Sequence, residues 1–138
     1  MRRQVSKRLI DAGCRLATLI HPSIELDFTS IGEDTIINQG VTIGANVEIG
    51  SHCAIRFNSV VNHESVIEDY VFVGPGVTLC GRVTIRNGAY VGAGSIIREC
   101  VEIGEDAVIG AGAVVLEDVP AGHRVAGVPA KELRKKEK

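Results

Sequence analysis

Aliphatic residues recur every six positions along most of this chain. Cut into hexads from Ile31, it reads IGEDTI, INQGVT, IGANVE, IGSHCA, IRFNSV, VNHESV, IEDYVF, VGPGVT, LCGRVT, IRNGAY, VGAGSI, IRECVE, IGEDAV, IGAGAV and VLEDVP. All fifteen first positions are Ile, Val or Leu, and all fifteen fifth positions are Ser, Thr, Cys, Ala or Val. Two earlier hexads, LIHPSI and ELDFTS, carry the register back to Leu19, with Glu25 out of pattern. An α-helix cannot keep a period of six on one face, because 3.6 residues per turn makes the stripe drift. In strands, side chains alternate, so a first position shares its face with the fifth position before it. The pattern therefore predicts short strands joined by corners, closing a triangular coil every three hexads. Bulky aliphatics fill its interior, and small residues fit where the walls converge. Successive coils pair as neighbouring strands do, about 4.8 Å apart.

Sixth positions three hexads apart stack on the outside of such a prism. One wall reads Ile36, Ala54, Phe72, Tyr90, Val108, and a second Thr42, Val60, Thr78, Ile96, Val114. The third, Glu48, Val66, Thr84, Glu102, Pro120, is more polar. Two apolar walls of this length point to packing between copies, and a threefold arrangement would cover parts of both. β-Branched strand composition alone is the plainer account. Outside the repeats, residues 2–12 read as a short helix stopped by Gly13, and 130–136 as a small helix after Pro129. The chain divides into a helical segment (1–18), the β-helix (19–120), and a C-terminal turn and short helix (121–138).

At 138 residues this is one domain with a sizeable core. Hydrophobic residues make up 45% but aromatics only 4%, so the core is aliphatic. Between Leu19 and Pro120 stand 14 acidic residues against four arginines (Arg56, Arg82, Arg86, Arg98), a body that repels nucleic acid. No stretch approaches a membrane span, and Arg2-Arg3 lacks the apolar run of a secretory signal. The four cysteines show no metal spacing and read as reduced thiols in a cytoplasmic protein.

Two corners of the predicted prism are distinctive. Gly74-Pro75-Gly76, Gly92-Ala93-Gly94 and Gly110-Ala111-Gly112 stack as an edge almost without side chains, where a ligand could lie against the backbone. Tight turns alone would also select those glycines. The next corner carries Ala45, His63, Gly81 and Glu99, with small residues on either side of His63. A histidine can take a proton near neutrality, and the following Glu64 can orient the ring and stabilise the imidazolium. His21, His52 and His123 have no comparable neighbour in sequence, and His21-Pro22 reads as an entry turn.

The hexad pattern resembles the hexapeptide-repeat acyltransferases, and the left hand of the predicted parallel β-helix comes from that resemblance. Three segments bring it closer: ATLIHPS (17–23) after a basic helix, the His63-Glu64 pair in VNHESV, and AGVPAKELR (126–134). They are similar to the sialic-acid O-acetyltransferases and UDP-4-amino-sugar N-acetyltransferases of bacterial glycan synthesis. The resemblance implies acetyl transfer from acetyl-CoA to an amino or hydroxyl group of a sugar or nucleotide sugar, by a homotrimer with no metal. His63 would be the general base, Glu64 its partner, and the Gly81 N–H the oxyanion donor. CoA contacts would fall at Phe72, Ala93 and Ala111.

The sequence departs from that group at several points. Position 72 is commonly histidine there and is Phe72 here. An asparagine often found seven residues before the base is Arg56, with Asn62 directly before the base. Residues 1–18 resemble only the last helix of the nucleotide-sugar-binding domain with which such enzymes usually begin. Three other readings stay open. EDYVFVGP (68–75) also resembles enzymes acylating 3-amino nucleotide sugars. A trimeric scaffold without catalysis fits the repeats equally. A γ-type carbonic anhydrase would need a third histidine beyond His52 and His63, which the later repeats lack.

Overall fold

The computed structural model describes residues 2–133, and among them the chain winds as a parallel β-helix of two-residue strands. Strands three hexads apart pair in register: Ile36, Ala54, Phe72, Tyr90 and Val108 form one ladder. Thr42, Val60, Thr78, Ile96 and Val114 form the second. Ser30, Glu48, Val66, Thr84 and Glu102 form the third. From Ile49 to Val115 every first-position aliphatic is buried, as is every fifth-position residue from Thr35 to Val119. Each buried Ile, Val or Leu contributes on the order of 1.5–3 kcal/mol, so a core without tryptophan can still hold this prism.

Corners close by a repeated backbone device. From Asp34 to Gly112 the fourth residue of every hexad has positive φ, and from His52 onward its N–H donates to the third-position carbonyl one coil earlier, as from Glu64 to Ala45 (2.9 Å). Glycine takes that conformation freely at Gly76, Gly94 and Gly112, and Asn46, Asn58 and Asp106 tolerate it. Phe28, His52, Glu64, Tyr70, Arg82 and Cys100 adopt it with full side chains, at a cost of roughly 1–2 kcal/mol each that the surrounding ladders must offset.

The register slips at both ends. Leu19 pairs with Ile36, seventeen residues on, so Ile20 turns inward and Leu19 is 58% exposed. The expected inward Leu19 is therefore corrected by one residue. After Val115 the coil shortens: Val119 bridges Ile103, and Asp118 Oδ1 accepts from the Glu102 N–H at 2.8 Å. Asp118, not Pro120, thus follows Glu102 on the third wall. The expected C-terminal helix is also corrected: Lys131–Glu132 is a strand antiparallel to Arg124–Ala126. Its remaining part, from residue 134, lies outside the described residues.

The N-terminal helix spans Arg2–Asp11. Gly13, with φ 81°, ends it, and bonds from Gly13 N to Ile10 O and from Cys14 N to Leu9 O satisfy its last carbonyls. Arginines fasten it to the corner between the third and first walls. Arg2 donates to the carbonyls of His52 (2.8 Å) and Asp34 (2.7 Å). Arg3 pairs with Asp106 at 3.3 Å and lies 5.4 Å from the Tyr70 ring centre. His52 does have a carboxylate partner, Asp34 at 2.9 Å, found one coil away rather than beside it in sequence. His123 likewise pairs with Glu132 at 3.1 Å, and His21 with Ser23 at 2.7 Å.

Candidate functional site

His63 stands on the corner between the second and third walls, and its geometry follows from its neighbours in the stack. Gly44 lies under it: a Cβ there would sit 2.6 Å from the His63 backbone nitrogen. Gly81 lies over it: a Cβ there would sit 2.6 Å from Nε2 and 2.7 Å from Cε1. The imidazole therefore rests against the bare Cα of Gly81. Asn62 donates to the Leu79 carbonyl (3.0 Å), and Ser65 accepts from the Val83 N–H while donating to the Cys80 carbonyl. These side-chain bonds tie the corner to the next coil.

His63 Nδ1 lies 3.1 Å from Glu64 Oε2, and both side chains are 54% exposed. With Nδ1 facing the carboxylate, Nε2 is the nitrogen left for a substrate proton. Arg82 stands one coil above Glu64. Cys100 beside it, then Glu64 and Glu99, hold its guanidinium still more firmly protonated than usual.

The Gly81 N–H donates to no acceptor among the described residues. At the helix-bearing corner the corresponding N–H groups are occupied by side chains from the next coil. Glu33 donates to Ser51 (3.1 Å), Ser51 to Asp69 (2.8 Å) and Asp69 to Asn87 (3.1 Å). The histidine corner places no such side chain on Gly81.

Of the sequence candidates, the structure brings His63, Glu64 and Gly81 together on one corner. Ala93 and Ala111 lie exposed on the glycine corner, stacked above Pro75. Phe72 is on neither corner: it belongs to the first wall, its ring stacked on Tyr90 with centres 4.8 Å apart. Sequence reasoning passed over Asp34 and His52, although both occupy fourth positions one coil apart and the stacking period alone pairs them. His52 and His63 sit on different corners. Among the described residues no group of three His, Cys, Asp or Glu side chains could hold a metal ion.

The family model described as bacterial transferase hexapeptide (six repeats) matches residues 28–63, 64–99 and 82–117. GDP-perosamine N-acetyltransferase of Escherichia coli is 40% identical over 141 residues, covering 98% of this chain and 64% of that protein. A mutant GDP-perosamine N-acetyl transferase from Caulobacter crescentus, solved with CoA and GDP-perosamine, superposes with a TM-score of 0.92 at 31% identity. That match covers 96% of this chain and 64% of the other. The acetyltransferase domain of PglB from Neisseria gonorrhoeae, solved with acetyl coenzyme A, gives 0.89 at 29% identity, covering 95% and 64%. The chain thus spans just under two thirds of these relatives.

Proposed function

This chain belongs to the bacterial transferase hexapeptide family, and we propose that it is an acetyl-CoA-dependent N-acetyltransferase acting on the amino group of a nucleotide-linked sugar in glycan synthesis. The observation that carries this reading is the His63–Glu64 pair, 3.1 Å apart and exposed, beside an unspent backbone N–H at Gly81. The Escherichia coli relative is named for GDP-perosamine, the Caulobacter enzyme was solved with CoA and GDP-perosamine, and the PglB domain with acetyl coenzyme A.

In this mechanism His63 Nε2 takes a proton from the sugar amine as its nitrogen attacks the thioester carbonyl. Glu64 stabilises the imidazolium so formed. Gly81 N–H stabilises the charge that develops on the carbonyl oxygen. His63 then returns the proton to the departing CoA sulfur. No enzyme ester is required, because the thioester is already activated.

Pro75, Ala93 and Ala111 supply the bare edge for CoA, and Phe72 flanks it from the first wall. The glycine and histidine corners are separated by the whole second wall, so one chain holds the two parts of the site on different edges. Assembly as a homotrimer, with the glycine corner of one copy against the histidine corner of the next, would join them. The exposed Tyr90 and Ile96 supply apolar surface for that contact. A cytoplasmic location suits an acetyl-CoA-dependent enzyme with four free cysteines among the described residues. No helix of the described residues is long and apolar enough to cross a membrane.

The test is CoA release against GDP-perosamine, UDP-4-amino sugars, 3-amino nucleotide sugars and sialic acid. His63→Ala should lower turnover on the best acceptor by about 10²–10⁴-fold with acetyl-CoA binding retained. Glu64→Gln should cost less. Full activity in His63→Ala would refute the assigned base.

A further inference from the structure

The fourth positions of the histidine corner form one column: Phe28, Asn46, Glu64, Arg82 and Cys100. Its members follow one coil apart, so Asn46 stands directly under Glu64 and Phe28 about 10 Å under it. Phe28 is 82% exposed, more than any other large apolar side chain among the described residues. Beside it opens a cavity of about 400 Å³, walled by Phe28, Thr29, Ser30, Asn46, Val47 and Glu48. Ser30 and Glu48 pair on the third wall, the polar one, which lies outside the two apolar walls that face other copies.

The coil itself does not use this ring. Tyr70 also occupies a fourth position, but it stacks on His52 with centres 4.5 Å apart and carries Arg3 on its face. Phe28 belongs to neither aromatic stack among the described residues, His52–Tyr70 or Phe72–Tyr90. Its face is left open, and Asn46 and Glu48 beside it are exposed. An aromatic face rimmed by hydroxyls, an amide and a carboxylate matches a sugar ring. The ring's C–H face lies on the phenyl group, and its hydroxyls meet the polar rim. The cavity lining contains a carboxylate and no cation, which suits a hydroxylated sugar and not its phosphates.

Resting on the acetyltransferase reading, we propose that Phe28 is the platform for the acceptor's sugar ring and a determinant of sugar specificity. The ring lies along the column with its amino group at His63 Nε2. Asn46 meets a hydroxyl next to that amine, and the apolar face of the ring reaches Phe28. Glu48 accepts from a hydroxyl on the third-wall side. The proposal concerns the sugar alone, whatever holds its nucleotide. Phe28 is too far from Glu64 to touch the reacting atoms, so it acts on binding and not on the proton transfer. A second copy of the chain is the other possible cover for an exposed ring. The carboxylate and hydroxyls of the cavity and its opening on the polar wall favour the sugar.

The chain has three phenylalanines, Phe28, Phe57 and Phe72, so ring-labelled protein gives few NMR signals, and Phe28→Leu identifies the one that matters. GDP-perosamine or a UDP-4-amino sugar should shift the Phe28 signal, while GDP and UDP alone should not. Phe28→Ala should raise the acceptor KM in the CoA-release assay about two- to tenfold, the range for losing one aromatic contact. Turnover at saturation and the KM for acetyl-CoA should stay as in the parent chain. Phe28→Tyr, which keeps the ring, should rescue the acceptor KM. A Phe28 signal that neither sugar nucleotide moves would overturn the proposal, as would one that GDP or UDP moves equally. So would an unchanged acceptor KM in Phe28→Ala, or a Phe28→Ala variant whose only defect is a smaller mass in light scattering. A sugar-dependent shift of the Phe28 signal without acetylation of any amino sugar would instead count against the transferase reading alone.

Discussion

A methyl group added at Gly81 would lie 2.6 Å from His63 Nε2, 2.7 Å from Cε1 and 3.2 Å from Cδ2. Ordinary contact requires the ring to retreat by roughly 1 Å. The ring is free to do so, since it is 54% exposed and held only through Nδ1 to Glu64. An off-rotamer imidazole costs about 0.5–1.5 kcal/mol, so the Gly81→Ala melting temperature should fall by only a few degrees. Catalysis has no such tolerance: a displacement of about 1 Å at the reacting atom can cost on the order of 10²-fold. Gly44→Ala places its Cβ equally close, at 2.6 Å, but against the His63 backbone nitrogen. That atom is main chain and cannot step aside as a ring can, so overpacking should cost about 1–3 kcal/mol in urea melts. The pair separates site damage from fold damage at equal distance. CoA-release kinetics and denaturation of both variants decide it. Wild-type turnover in Gly81→Ala, or destabilisation equal to that of Gly44→Ala, would refute the account of how the ring is seated.

Other consequences are open to measurement. Ala93→Phe and Ala111→Phe should abolish acetyl-CoA binding in calorimetry with melting temperatures unchanged, because both side chains point off the corner into solvent. Light scattering should give three times the chain mass, and Tyr90→Glu should lower it by placing a charge between copies. Burial pushes the Cys53 thiol up from 9.0 to about 11. Its contribution to stability is complete below pH 9 and lost as the pH rises towards 11, by up to about 3 kcal/mol. Urea melts across that window should show the decline, and Cys53→Ala should remove it.

The repeat was legible because its two determinants, a bulky aliphatic at position one and a small residue at position five, are independent and rarely violated. Its N-terminal end was not, for a reason visible in Leu19-Ile20. Two adjacent aliphatics satisfy a period of two equally well in either phase. Only pairing with the neighbouring coil chooses the inward one, and it chose Ile20. The C-terminal helix failed similarly: local helix-forming residues yielded to an open strand edge at Arg124–Ala126. His63 and Glu64 were found because they are neighbours in sequence, whereas Asp34 and His52 become neighbours only through stacking.

Backbone strain does not single out the site on this prism. Glu64 has φ 57°, but Tyr70 has 60° and Asp106 53°, and each belongs to the same recurring fourth position. What separates the corners is the size and chemistry of their third positions. Where these are Ser51, Asp69 and Asn87, they consume the N–H groups of the coil before and give the helix a closed edge to dock on. Where they are Pro75, Ala93 and Ala111, the edge stays bare. Where a single histidine stands between Ala45 and Gly81, the ring has space to lie flat and the Gly81 N–H above it remains unspent. The first and fifth positions are committed to the core and the fourth to the corner's backbone, whereas the third is bound by neither, and there this chain varies its chemistry from corner to corner.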